Sequence, residues 1–448
     1  NLTTGGALSV DSDSDCDGSG SLSVVAGSVM SSGGFPLRVK AADVALEGRV
    51  SSGSSSTSFV LCDGSAVWLG GAAGSSALSV FSLDRFELGR VLSGGLVVES
   101  PSGRITVRSV SAAETSSVSG PLLLNASSVL FAEATSFSPA VFVHAGSGIV
   151  VNGSLSSVGS LLLEGGSSQS LLSPVSSVTG SVSLEVSGGS PIRVVSPGGV
   201  SAGSGISFGG PVEVSGSGVF TLDSDSDLDG VGTLLLSASS NLTVSGRVSG
   251  LSVVAADVDI LCSVKAGWSA VTLQSSNATG AMRLGSGGPV SGGFSVSDAE
   301  LDRIETRGVL TFGGSLTGHV EVDGFSYAGG ASEVRLFALK HVSSRVSFLG
   351  ENSFVQGLSV VSRGGVSVSN LTTGGALSVD SDSDCDGTGD FSLSGLLVSR
   401  SSSYLIISQI FISGRVVAGI RLTISSCDGR SVFLASNSSD KQGALFLT

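Results

Sequence analysis

The sequence predicts an all-β chain, a single-stranded, right-handed parallel β-helix (β-solenoid) running as one continuous body over residues 1–448. Three observations predict it: an apolar composition poor in aromatics, a short alternating texture punctuated by turn residues, and long internal repeats. Hydrophobic residues make up 41% of the chain and charged residues only 13%. That is too apolar for a solvated coil, although 66 Gly and abundant Ser would otherwise suggest disorder. The core must come from Val, Leu, Ile and Ala, and the β-branched members of that set pack well in pleated strands.

Apolar and polar residues alternate for five to eight positions before Gly, Ser, Asn or Asp marks a turn, which is the texture of strand, turn, strand. The densest apolar runs, Leu161-Leu162-Leu163 and Tyr404-Leu405-Ile406-Ile407, are strand-sized, so no membrane span is expected.

The repeats organise the rest. Asn1 to Gly18 reads NLTTGGALSVDSDSDCDG, and the same eighteen residues return at Asn370 to Gly387, 369 positions later. Phe220 to Gly230, FTLDSDSDLDG, is a divergent third copy, and Ala41-Ala42-Asp43-Val44 recurs as Ala255-Ala256-Asp257-Val258. Leu83-Asp84-Arg85-Phe86 matches Leu301-Asp302-Arg303-Ile304 by letter, while Gly48-Arg49-Val50 and Cys62-Asp63-Gly64 return as Gly414-Arg415-Val416 and Cys427-Asp428-Gly429. The copies span about 1–110, 213–325 and 370–448. Repetition with this texture favours stacked coils of about 20 to 25 residues, each leaving an open edge for the next, in a rod on the order of 100 Å long. Both ends of the sequence fall inside repeat copies, so the chain is expected to be a window on a longer protein.

Ser297 to Gly324, SDAELDRIETRGVLTFGGSLTGHVEVDG, carries a Leu-x-x-Ile strand, a Gly turn and a Gly-x-Val-x-Val strand. In this it resembles the coils of filamentous-haemagglutinin-like adhesins and related giant right-handed β-helix surface proteins. The resemblance implies a surface-exposed, fibrous protein and transfers no functional residues.

Seven of the eight Asn begin an N-x-Ser/Thr sequon: Asn1, Asn125, Asn152, Asn241, Asn277, Asn370 and Asn437; Asn352 stands outside the pattern. With Ser and Thr at roughly a quarter of residues, about two would arise by accident. The excess predicts N-linked glycans and secretion to the cell surface or beyond; the plainer reading is that Asn suits turns beside Ser and Gly.

The acidic run is the sharpest motif. Asp11, Asp13, Asp15 and Asp17 precede Gly18; Asp223, Asp225, Asp227 and Asp229 precede Gly230; Asp380, Asp382, Asp384 and Asp386 precede Gly387. A D-x-D-x-D-G core resembles calcium loops, in which hard carboxylate oxygens converge on the ion and Gly permits a sharp turn, though the closing Glu of an EF-hand is replaced by Val24. Against this, alternation continued from Leu8 and Val10 places Ser12, Ser14 and Cys16 inside and every Asp outside. Same-face carboxylates on a straight strand then stand about 6.6 Å apart, too far to share an ion. The alternation favours a solvated acidic stripe; calcium requires the segment to bend.

Five cysteines leave one unpaired. Cys16 and Cys385 align with Leu228, which favours buried thiols over disulfides to Cys62 and Cys427, since a gap of two coils, roughly 9.6 Å, exceeds a disulfide's reach.

Catalysis has little support. His144, His319 and His341 are isolated, and Gly205-Ile206-Ser207-Phe208-Gly209 matches a nucleophile elbow by letter with no helix pattern after it. Trp68 and Trp268 read as packing or surface residues rather than a sugar platform. A formal charge of -14 excludes nucleic acid as a partner. The expected function is a non-catalytic structural repeat segment of an extracellular filament or cell-surface appendage, with copies of itself or other filament subunits as partners. The alternatives are an adhesin or glycan-binding surface protein and a carbohydrate-active β-helix enzyme.

Overall fold

The computed structural model describes residues 1–61, 64–71, 81–186, 191–196, 199–245, 247–277, 281–285, 293–407, 409–418, 422–426 and 434–435. The chain divides into two compact units, Asn1–Gly216 and Ser217–Thr448. Each is a parallel β-solenoid of short strands.

The coil beginning at Val141 shows the plan of the first unit. Val141–Val151 supplies two sides around a corner at Gly146 to Gly148, and Leu155–Ser157 the third. The next coil repeats the plan as Leu161–Gly165, Gln169–Leu171 and Val175–Ser177, in parallel register, with Val141 opposite Leu161, Ile149 opposite Gln169 and Leu155 opposite Val175. Val182–Val186, Ile192–Ser196 and Gly199–Ala202 follow in the same order. Alternation decides which way each residue faces, and parallel register then stacks like upon like.

The core is therefore a set of ladders. Leu122, Val141, Leu161, Val182 and Ile206 lie one above another, and none exceeds 2% exposure. In the second unit Leu251, Val271, Leu310, Val334, Leu358 and Leu377 form the same kind of column, equally buried. Each such side chain contributes about 1.5–3 kcal/mol by leaving water. Larger gaps are filled by Phe312, Phe325, Phe348 and Phe354, whose ring centroids lie 5.0–6.4 Å apart along the chain of contacts. Buried Ser has its own place at the corners: Ser157 Oγ donates to Pro139 O at 2.7 Å and Ser177 Oγ to Gly159 O at 2.8 Å. These hydroxyls satisfy turn carbonyls that no strand reaches.

Among the described residues, two one-turn helices interrupt the coils, Arg85–Leu88 and Asp298–Leu301. Each begins with a capping box, Asp84 with Glu87 and Ser297 with Glu300. The same Glu also reaches a strand of an earlier coil. Glu87 Oε1 accepts from Leu46 N at 2.9 Å, and Glu300 Oε1 from Ile260 N at 3.0 Å. Arg90 and Arg303 then donate to the carbonyls of those same residues, Leu46 and Ile260. A Glu and an Arg thus replace the missing neighbour strand and close an open edge.

This corrects the letter match of Leu83 to Phe86 with Leu301 to Ile304. The structurally equivalent residues are Glu87, Leu88 and Arg90 with Glu300, Leu301 and Arg303, because the clamp, and not the local tetrapeptide, occupies the same place in both copies. Among the described residues no helix is long and apolar enough to cross a membrane.

Candidate metal centre

The three acidic runs fold into the same loop. A strand ends at Asp11, Asp223 and Asp380 in turn, and the chain then bends. The bend is set by the residues at the sixth position of each run: Cys16, Leu228 and Cys385 have φ of 57°, 58° and 55°, and their backbone N–H groups donate to the carbonyls of Asp13, Asp225 and Asp382. A left-handed non-Gly residue is uncommon, and its recurrence at one place in three copies marks a defined turn. The Gly two positions further on, Gly18, Gly230 and Gly387, has φ of 81°, 83° and 85°.

A second glycine completes the loop. A Cβ on Gly20, Gly232 or Gly389 would stand 1.6, 2.1 or 2.0 Å from the carbonyl oxygen of Ser12, Ser224 or Ser381. Only Gly allows that approach. The motif is therefore D-x-D-x-D-G-x-G, and its last position is present in all three copies of the sequence.

The bend overturns the expectation of four outward Asp on a straight strand. Asp13, Asp225 and Asp382 turn inward and are 3%, 0% and 1% exposed, whereas Ser14 is exposed. The inward carboxylates organise the loop. Asp225 accepts from Asp229 N at 3.1 Å and Gly230 N at 3.0 Å, and Asp382 from Asp386 N at 3.2 Å and Gly387 N at 3.1 Å. Asp13 accepts from Asp17 N at 3.1 Å.

The turn gathers the second, third and fourth Asp of each run. In Asp13, Asp15 and Asp17, in Asp225, Asp227 and Asp229, and in Asp382, Asp384 and Asp386, one oxygen per residue lies within 4.8 Å of the others. Oxygens bound to one calcium at 2.3–2.6 Å can be no further apart than about 5 Å, so each trio fits a single ion. The first Asp of each run stands outside the trio and serves the turn instead: Asp11 accepts from Asp13 N and Asp380 from Asp382 N, both at 3.3 Å.

Electrostatics agree with a site short of positive charge. Burial pushes Asp223, Asp225, Asp380 and Asp382 above the ordinary carboxylate range, with neighbouring Asp adding to the rise. Asp386 moves the other way, because the Thr388 hydroxyl and backbone donate to it. Cationic neighbours are few: Lys40 Nζ stands 3.5 Å from Asp11, and Arg363 Nε 3.7 Å from Asp384.

The cysteine expectation is also corrected. Cys16 and Cys385 are disulfide-bonded rather than free thiols, while Cys262 is a free, buried thiol. The aligned position is not a core position: Leu228 is 49% exposed, because the bend turns it outward. Cys62 and Cys427, the partners suggested by co-occurrence, lie outside the described residues. In the middle copy, Ser276 holds the loop: its Oγ donates to Asp225 Oδ2 at 2.5 Å. Ser276 lies 214 residues beyond Cys62, the spacing that separates Ala41-Ala42-Asp43-Val44 from Ala255-Ala256-Asp257-Val258.

The other candidates scatter. Asn1, Asn152 and Asn241 are exposed and Asn125, Asn277 and Asn370 partly so; Asn437 lies outside the described residues. Asn352, the one Asn without a sequon, is 3% exposed and pinned, accepting from Phe325 N at 3.1 Å and donating to Leu349 O at 2.7 Å. His144 pairs with Glu164 and His319 accepts from Arg345 N, while His341 donates its backbone N–H to Ser344 Oγ, so the three serve separate local contacts. Ser207, at the centre of the Gly205 to Gly209 match, lies on the strand Gly205–Phe208 and donates to Ser183 Oγ. No known protein family, no curated protein and no solved structure matches this chain.

Proposed function

We propose that the chain is a non-catalytic structural repeat segment of an extracellular filament or cell-surface appendage, whose Asp loops bind calcium. The observation that carries this reading is the recurrence of one loop geometry in three repeat copies, with the same left-handed residue, the same paired glycines and the same trio of carboxylates. A unique catalytic centre has no use for three equivalents, whereas a periodic scaffold does. Calcium would offset the repulsion among carboxylates that burial has already made harder to ionise.

Secretion is supported by the accessibility pattern of the asparagines: the six described sequon Asn all reach solvent, and the Asn that lacks a sequon is buried. The disulfide bonding of Cys16 and Cys385 fits an oxidising compartment. Further copies of the same chain or other solenoid subunits are the natural partners, since a parallel coil ends in unpaired backbone groups that another coil can satisfy.

The test is electron microscopy of natively purified protein with and without a chelator, paired with the mass change on treatment with a peptide N-glycosidase. Uniform fibres that shorten or dissolve on chelation, with loss of glycan mass, support the reading. Discrete particles indifferent to chelation and glycosidase overturn it.

A further inference from the structure

Trp268 is the most exposed large apolar side chain among the described residues, with 77% of its surface open. The backbone holds it out on a tight turn: Gly267 has φ of 57°, and Ser269 N donates to Ala266 O at 2.9 Å. Trp68 sits in the strand Val67–Gly70, only partly exposed, with the Arg108 guanidinium 4.5 Å from its ring.

A polar groove opens beside Trp268, which stands at its rim next to the lining residue Gly267 and is joined to it through Arg307. The Arg307 guanidinium stands 5.6 Å from the indole centroid and leaves most of the ring open. Arg307 also lines, with Lys265, Asp302, Glu305 and Tyr327, a groove of about 460 Å³. Lys265 and Glu305 are register partners on adjacent strands, both facing outward. Tyr327 is 1% exposed, and its hydroxyl faces the Ala331 backbone without meeting hydrogen-bond geometry.

We propose that this groove binds a neutral oligosaccharide. One pyranose ring would lay its C–H face on the open side of Trp268, while Lys265 and Arg307 donate to its hydroxyls and Glu305 and Asp302 accept from them. The chemistry selects this ligand class over others. A planar aromatic beside paired donors and acceptors suits an amphipathic ring with one apolar face and many hydroxyls. The two cations and two anions cancel, which favours an uncharged ligand, and a polyanion would also meet the chain's net charge of -14. Trp268 has no equivalent in the other repeat copies, so this is a single recognition site and not part of the Asp-loop array. The proposal is independent of the filament reading: sugar binding can hold where fibre assembly fails, and the reverse.

The test titrates the full chain with cellotetraose, chitotetraose and β-1,4-galactotetraose, following tryptophan fluorescence and calorimetric heat, for wild type, W268A and E305Q. At least one sugar is expected to saturate, with affinity falling about tenfold or more in W268A and severalfold in E305Q while the melting temperature stays unchanged. Two results overturn the proposal: none of the sugars saturates wild type by roughly 10 mM, or W268A binds as tightly as wild type. Loss of self-association in W268A without any sugar effect would also overturn it, assigning Trp268 to a contact between copies.

Discussion

Ser276 and Asp225, 51 residues apart in sequence and both buried, meet through a 2.5 Å hydrogen bond that ties the middle Asp loop to a later coil. Removing the hydroxyl in S276A leaves a buried carboxylate one donor short. Hydrogen bonds to charged groups contribute about 1.5–3 kcal/mol, so the variant is expected to lose stability on that scale in urea unfolding. An unchanged midpoint would show that Ser276 is a bystander.

The three carboxylate trios are expected to bind three calcium equivalents. Terbium luminescence, displaceable by calcium, measures the count, and D13N, D225N and D382N should each remove one. A stoichiometry that survives all three substitutions would place the ions elsewhere, and no binding by the wild type would remove calcium from the loops.

Acid should stabilise the cation-free protein. Burial raises Asp43, Glu87, Asp223, Asp225, Asp257, Asp380 and Asp382 above their ordinary values, so the folded state holds protons more tightly than the unfolded chain. Stability contributed by these groups is present at or below ordinary carboxylate pKa values and lost as pH rises through the raised ones. Among the described residues Asp386 alone opposes the trend. The melting temperature in chelator is therefore expected to fall between about pH 4 and pH 7, and added calcium to recover it through the loops. A rise over that window would contradict the assignment of burial as the dominant cause.

Two asparagine substitutions separate architecture from modification. N352Q displaces a buried amide with donors and acceptors satisfied and is expected to destabilise by about 1–3 kcal/mol with no change in glycan mass. N152Q, at an exposed position, should change stability by less than about 0.5 kcal/mol and remove one glycan. An unchanged glycan mass after N152Q would leave that sequon unused.

The Glu clamps are edge seals of equal design, so E87A and E300A should behave alike. Each strips a partner from a strand N–H and from its own capping box, with an expected loss of about 1–3 kcal/mol. Hydrogen exchange at Leu46 and Ile260 should accelerate in the respective variant.

The coil architecture was legible because its signal is local and repeated. Alternation in segments such as Val141 to Ala145 and Leu161 to Gly165 sets the inward face, and parallel stacking multiplies one decision many times. The Asp loop was legible as a motif but not as a shape. Period-two reasoning carries a strand forward until something stops it, and the stop here is a left-handed Cys or Leu, residue types that give no warning of positive φ. The glycines were the better signal, since Gly20, Gly232 and Gly389 report a close backbone approach that only a bend produces. The Glu clamp is not legible in the sequence because its partners, Glu87 and Leu46, are 41 residues apart and meet only through coil stacking.

The buried ladders have a consequence for how the chain finds its fold. Leu122, Val141, Leu161, Val182 and Ile206 present nearly interchangeable rungs, so a strand that docks one coil too early makes almost the same hydrogen bonds and buries almost the same surface. The energy gap against such miscounting is small wherever coils are alike. Features that occur at one level only, such as a one-turn helix clamped to Leu46 or a loop tied to Ser276, act as bookmarks: a chain stacked out of sequence would leave them unmatched, and the penalty for that mismatch is what keeps the count.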